Sequence, residues 1–172
     1  CQSYANTYKL PIVITNTMNV IGERQHPEKY VPKVIRKVLE GETVTIHSNK
    51  DKTKAGSRFY IHARNIADAL LHILDNCDET LHNYDSSIGR FNIVGEKETD
   101  NLQLAQMIAD ALGKELKYEM VDFHSQRPGH DLRYALDGEK MKSIGWIHPI
   151  AFEDSLQKTI KWTLENDKWL NI

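Results

Sequence analysis

Short apolar runs alternate with longer stretches of helical periodicity along almost all of the 172 residues. "LPIVIT" is a continuous apolar run, the pattern of a strand buried on both faces. It follows residues that read as the end of a helix, closed by Leu10-Pro11. "PEKYVPKVIRKVLEGE" places Val31, Val34, Ile35, Val38 and Leu39 on one helical stripe. Pro27 suits its first turn and Gly41 its end. "TVTIH" reads as a strand, and "SNKDKTKAGS" as a polar loop around Gly56. "RFYIHARNIADALLHILDN" begins extended and becomes a helix, with Ile66, Leu70, Ile73 and Leu74 directed inward. Strand, helix and strand in repeated succession predict an α/β fold, because parallel strands need long crossovers between them.

The second half continues the pattern. A turn region, "HNYDSSIGR", precedes the strand "RFNIVG". The helix in "ETDNLQLAQMIADALGKEL" has Thr99 or Asp100 to cap it and Gly113 near its stop. "LKYEMVD" is a further strand, and "LDGEKMKSIGW" a short helix that Asp137 can cap. "FEDSLQKTIKWTLENDKWL" closes the chain as a helix with Leu156, Ile160 and Leu164 on one side. No repeats, low-complexity tracts or interdomain linker interrupt these elements.

A formal net charge of −2 gives no broad basic field, so neither nucleic acid nor a membrane surface is an expected partner. The two cysteines, Cys1 and Cys77, have neither metal nor redox spacing and suggest no disulfide framework. A reducing compartment, the cytoplasm, is the expected setting, and no metal site is expected. The first residue is Cys in what reads as mid-helix. The expectation is a fragment, a processed chain or a product whose first half is missing.

One stretch raises a chemical question. "HSQRPGHDLRYALD" sets Arg127, His130 and Arg133 around a Pro-Gly pair. Pro128 stiffens the backbone and Gly129 leaves it open to close approach. Such a turn can grip an anion, or it can be an ordinary surface turn with solvated charges.

Five stretches, "LPIVITNTMNVIGERQHPEKYVPKVI", "RFYIHARNIADAL", "FNIVGEKETDNLQLAQMIADALG", "RPGHDLRYALD" and "IGWIHPIAFEDSLQKTIKWTLEN", run through the chain in a familiar order. Together they resemble the C-terminal half of an extended short-chain dehydrogenase/reductase. The resemblance is to the nucleotide-diphosphate-glucose 4,6-dehydratases of the dTDP-glucose type, with "RPGHDLRYALD" its most specific motif. It implies a fold made of the end of a Rossmann-type parallel sheet plus the smaller α/β substrate-binding lobe. Residues 1–22 would end the dinucleotide-binding domain and 23–172 would form mainly the lobe, with one strand at about 90–95 returning to the Rossmann sheet.

The resemblance also implies roles. Arg127, Pro128, Gly129 and His130 would line the sugar-nucleotide pocket, where a guanidinium offers paired donors to phosphate oxygens. Arg133 and Asp137 are as well explained by structural roles. Asn19 would contact substrate and Asn16 would lie near the nicotinamide. Val20 stands where the family usually has a second Asn near the cofactor, so only a backbone contact survives there. Lys29 would meet the phosphates, since free N–H groups at a helix start favour an anion, with Tyr30 beside it. Thr45, Ile46 and His47 match the edge that packs on the nucleobase, where the family often has Tyr in place of His47. Arg58 would be a second phosphate ligand, or else a surface ion pair. Asn101 would sit at the nucleotide end, or serve the first turn of its helix.

The implied reaction is internal redox. NAD takes hydride from sugar C4, water leaves from C5 and C6, and the hydride returns to C6. The sequence has no G-x-G-x-x-G and no Tyr-x-x-x-Lys. The catalytic residues, and most of the NAD site, are therefore expected upstream of Cys1. This chain alone is expected to be inactive, and its parent a homodimer. The expected ligand is a nucleotide-diphosphate sugar with thymine or uracil as base. The alternatives are a non-catalytic nucleotide-sugar-binding module and a related sugar-nucleotide epimerase or decarboxylase.

Overall fold

The computed structural model describes residues 1–76, 89–126 and 131–170. Its opening helix α1 (Gln2–Tyr8) leads to the short strands β1 (Ile14–Thr17) and β2 (Asn19–Ile21). Helix α2 (Tyr30–Glu40), strands β3 (Val44–Ser48) and β4 (Ser57–His62), and helix α3 (Ala63–Asn76) follow. Next come β5 (Arg90–Ile93), β6 (Glu98–Asp100), α4 (Asn101–Ala111) and β7 (Tyr118–Asp122). The chain continues through α5 (Phe123–Gln126), β8 (Arg133–Tyr134), α6 (Glu139–Ser143) and α7 (Phe152–Glu165), ending in a 3-10 turn, Asp167–Leu170.

The pairings are mainly parallel, as crossover helices require. β1 pairs with β5, Ile14 opposite Arg90. β2 pairs with β4, Asn19 opposite Tyr60, and β3 pairs with β7, Val44 opposite Tyr118. β6 adds to β4 antiparallel, and β8 joins the same strand in parallel.

Two cores hold these pieces. The larger packs Val31, Val34, Ile35 and Val38 of α2 against Leu104 and Ile108 of α4 and Leu156 and Ile160 of α7. Ile35 is 0% exposed, and burying such a side chain contributes about 1.5–3 kcal/mol. The smaller joins Ile73 of α3, Phe91 and Ile93 of β5, Met141 and Trp146. Both helix signals at residues 30–41 and 99–113 act as read. Gly41 takes φ 71° and its N–H reaches the carbonyls of Lys37 and Val38. Asp100 caps α4 by accepting the Gln103 N–H at 2.8 Å.

Several expectations are corrected. The strand in "LPIVIT" begins only at Ile14, because Pro11 has no N–H and Ile12 turns back onto the Leu10 carbonyl at 2.9 Å. Pro27 precedes α2, and Pro32 occupies the first turn instead. On α3 the buried face is Asn65, Ala69 and Ile73, whereas Leu70 and Leu74 are exposed. Leu164 of α7 is exposed as well. The expected turn over 82–90 falls mostly, and Cys77 wholly, outside the described residues. Among the described residues no helix is long and apolar enough to cross a membrane.

Candidate functional site

A cleft of about 670 Å³ opens between α2, β3 and the segment that precedes β8. Backbone bonds at Gly56 tie its walls together. The Gly56 N–H donates to His47 at the end of β3 (2.9 Å), and the Gly56 carbonyl accepts from Asn101 at the start of α4 (2.8 Å). The next N–H, of Ser57, donates to the Leu132 carbonyl at 3.0 Å. A Cβ on Gly56 would stand 3.0 Å from that carbonyl oxygen, a tighter contact than a Cβ ordinarily makes, so the close approach of the two backbones favours glycine.

The α2 wall is cationic. Lys29, Lys33, Arg36 and Lys37 all line the cleft, spaced so that a helix stacks them on one face. Lys37 is engaged: its Nζ donates to the Thr43 carbonyl (2.8 Å) and stands 3.6 Å from Glu42. Lys29, Lys33 and Arg36 have no ion pair among the described residues. With Arg58 the lining carries five cations, against the carboxylates Glu28 and Asp131. Unpaired cations in a cleft of low local dielectric attract an anionic ligand.

The opposite side is neutral and ordered. Tyr60 donates its hydroxyl to Asn101 Oδ1 at 2.6 Å, and Tyr30 donates to the Asn101 carbonyl at 2.5 Å. Burial, then the neighbouring acidic groups, pushes the Tyr30 hydroxyl far above its ordinary range. Burial does the same to Tyr60 against the pull of Arg58. Both phenols stay protonated and act as donors. The Asn101 amide oxygen is committed to Tyr60, which leaves its NH2 for a ligand.

Arg58 proves to be a clamp rather than a surface ion pair. Its Nη1 donates to the carbonyls of Ser57 (2.6 Å) and Leu132 (2.7 Å), and its Nη2 to that of Asp131 (2.8 Å). Carbonyls orient the guanidinium without neutralising its charge. At the end of β3 the His47 ring lies 5.4 Å from that of Phe123.

The fold thus brings Asn19, Lys29, Tyr30, Thr45, His47, Arg58 and Asn101 to one cleft. Ile46 is a correction. Strand alternation turns it away from Thr45 and His47, and it is fully buried in the larger core. Asn16 and Val20 lie outside the lining. The Asn16 amide donates to Asn92 at 3.0 Å, and the Val20 carbonyl accepts from Gln25 at 2.7 Å. Arg127, Pro128, Gly129 and His130 lie outside the described residues, while Asp131 and Leu132 line the cleft. Arg133 makes a two-pronged bond to Glu98, both contacts at 2.8 Å. Asp137 accepts the Glu139 N–H at 2.8 Å at the start of α6. Sequence reasoning missed Lys33 and Arg36, although their spacing from Lys29 was visible. It also missed Tyr60, which only strand pairing brings in. Among the described residues no group of three His, Cys, Asp or Glu could hold a metal ion.

Residues 1–89 match the NAD dependent epimerase/dehydratase family. The chain belongs to that family. It is 33% identical to dTDP-glucose 4,6-dehydratase 1 of Escherichia coli K12 over 178 residues, covering 99% of this chain and 45% of that protein. It is 30% identical to the trifunctional UDP-glucose 4,6-dehydratase RHM2 of Arabidopsis thaliana, covering 97% of this chain and 23% of that protein. Among solved structures it resembles DesIV, a dTDP-glucose 4,6-dehydratase of Streptomyces venezuelae with NAD and TYD bound. There the TM-score is 0.78 at 29% identity, over 99% of this chain and 49% of that one. The chain spans about half the length, or less, of the curated relatives it matches. Membership makes this an extended reductase fold from a family of nucleotide-sugar dehydratases and epimerases.

Proposed function

We propose that the parent protein is an NAD-dependent nucleotide-sugar 4,6-dehydratase, and that this chain supplies its cleft for the nucleotide-diphosphate sugar. The observation that carries the reading is the cleft itself. Unpaired Lys29 and a carbonyl-oriented Arg58 share one space with the Asn101 amide. A diphosphate supplies the missing counter-charge, and a guanidinium binds phosphate oxygens through paired donors. Arg127 and His130, which the resemblance assigns to the same pocket, stand just before Asp131 in the sequence, the residue whose carbonyl Arg58 holds. Asn19 faces the sugar end, and His47 beside Phe123 offers a surface on which a thymine or uracil ring rests.

NAD, when bound, supplies the hydride acceptor and donor for the internal redox reaction. The residues here fit only its edge. Asn16 is bonded to Asn92, Val20 offers no polar side chain, and the sequence has no glycine-rich phosphate loop. Most of the cofactor site and the proton-transfer residues belong, in this reading, to other parts of the parent. In this reading residues 1–22 and the strand beside them belong to the dinucleotide-binding domain, 23–172 form mainly the substrate lobe, and the parent is a cytoplasmic homodimer.

The test supplies dTDP-glucose and UDP-glucose, with NAD, to the full-length parent and to the 172-residue chain. Loss of one water from the sugar, read by mass spectrometry, is expected for the parent and not for the chain. A product of unchanged mass would instead indicate an epimerase. Binding of both sugars with no turnover by the parent would favour a binding module, a reading that the two protonated phenols of the cleft already suit.

A further inference from the structure

We propose that Glu98, which lies outside the cleft, is a positioning residue for it: through Ser57 and Arg133 it fixes the carbonyls that aim Arg58. This rests on Arg58 meeting the diphosphate, as proposed above.

Three strands meet behind the cleft wall. β6 pairs antiparallel with β4, Phe59 opposite Glu98, and β8 pairs parallel with β4, Ser57 opposite Arg133. Side chains alternate along a strand. Ser57, Phe59, Glu98 and Arg133 therefore share one face of the sheet, and Arg58, Tyr60 and Tyr134 the other. Arg58 and Tyr60 line the cleft, whereas Ser57, Glu98 and Arg133 do not. On that far face Glu98 bridges the strands. Its Oε1 accepts from Ser57 Oγ at 2.5 Å and from Arg133 Nε at 2.8 Å, and its Oε2 accepts from Arg133 Nη2 at 2.8 Å.

β8 needs such a bridge. It has two residues, so few backbone bonds set its register. The residues just before it, Asp131 and Leu132, carry carbonyls that hold the Arg58 fork, at 2.8 and 2.7 Å. Leu132 also takes the Ser57 N–H at 3.0 Å. A slip of β8 along β4 moves these carbonyls, and the guanidinium turns with them. A fork with paired donors binds phosphate through a specific geometry. The two-pronged Glu98–Arg133 bond is directional in the same way, so it holds β8 in one register where a single-point contact would let it slide. Bonds from Arg133, then Ser57, hold the Glu98 carboxyl below its ordinary value of 4.5, so the bridge is charged at neutral pH. The pair is open to solvent, with side-chain exposures of 31% for Glu98 and 59% for Arg133. Exposed ion pairs add little to stability, so position is what this one supplies.

Isothermal titration of dTDP into the full-length parent, with a melt of each variant, tests this. Glu98→Gln and Arg133→Gln are each expected to bind dTDP about tenfold more weakly than wild type, at a near wild-type melting temperature. Lysine at position 58 keeps the charge without the fork. Adding Glu98→Gln to Arg58→Lys is therefore expected to weaken binding by less than about twofold. Wild-type affinity in either single variant would overturn the inference. So would a tenfold loss that persists beside Arg58→Lys, since Glu98 would then act elsewhere. A melt that falls along with binding would assign the pair to folding and overturn it too. In all three cases the cleft reading stands. Failure of the wild type to bind dTDP would overturn that reading and the inference with it.

Discussion

Arg36 and Arg64 sit on neighbouring parts of one small molecule and are used in opposite ways. Arg36 lines the cleft with no ion pair among the described residues. Arg64, at the start of α3, is bonded to Glu23, which also meets His62 Nε2 at 3.1 Å. The other ring nitrogen of His62 accepts the Arg64 N–H at 3.0 Å. Glu23, His62 and Arg64 bond one another in that knot, and His62 is only 2% exposed. The difference separates a cation bonded within the fold from one that no described carboxylate answers. Folding satisfies buried polar groups locally, because an unpaired one costs about 1–3 kcal/mol. A binding wall leaves donors unspent where water can hold them until the ligand arrives.

The largest expected effect falls between the two regions, at Gly95. A Cβ there would stand 2.1 Å from the Tyr60 carbonyl oxygen and 2.8 Å from its carbon. Backbone cannot give way like a side-chain tip. Gly95→Ala is expected to cost about 3 kcal/mol or more. Because Tyr60 holds Asn101 in the cleft, the variant loses nucleotide binding along with stability, read as a lowered melting temperature and a weaker titration. A wild-type melt would show that β4 is not tightly seated on this glycine.

An intermediate effect concerns the knot alone. Burial, with Arg64 and Lys158 adding to it, outweighs Glu23 and holds His62 below its ordinary value of 6.5. For Glu23, burial opposes the charge. Its own backbone N–H, His62 and Arg64 prevail and hold the carboxyl below its ordinary value of 4.5. Both groups bind protons more readily in the unfolded chain. Stability is therefore full above pH 6.5 and falls as the pH drops below it, with Glu23 adding to the loss below pH 4.5. Protonation also gives Nδ1 a hydrogen that faces the Arg64 N–H. Melting curves between about pH 7.5 and about pH 5 are expected to slope for the wild type and to flatten in His62→Gln. Equal slopes would assign the acid sensitivity to other groups.

The smallest effect is on the cleft wall. Lys33→Ala/Arg36→Ala removes no bond between described residues, so its melt is expected to stay within about 0.5 kcal/mol of wild type. A clear loss of stability would mean that these cations serve folding as Arg64 does, and the contrast between the regions would fail.

The helix α2 was legible in its buried stripe and its end, though not in its first turn, since a wide apolar stripe with a glycine after it fixes both. Helix α3 was legible as a helix but not in its phase. Its apolar residues occupy more than one face, and the partners that chose Ala69 and Ile73 arrive from β5 and α6, far along the chain. The same holds at the site. The resemblance pointed to Asn19, Lys29, Arg58 and Asn101, and the fold gathers them. That Arg58 bonds carbonyls, that Tyr60 anchors Asn101 and that Ile46 faces the core are consequences of pairing and alternation between distant strands.

By itself, the sequence determined the α/β class, most of the elements with their caps, and the family, because periodicity, capping and motif order are local and survive without a partner. Only the tertiary structure decided which helix faces are buried, which polar groups are spent on folding and which remain available in the cleft. Those outcomes depend on what each side chain meets across the fold, and a hydrogen bond or a packed face is fixed by its second partner as much as by its first.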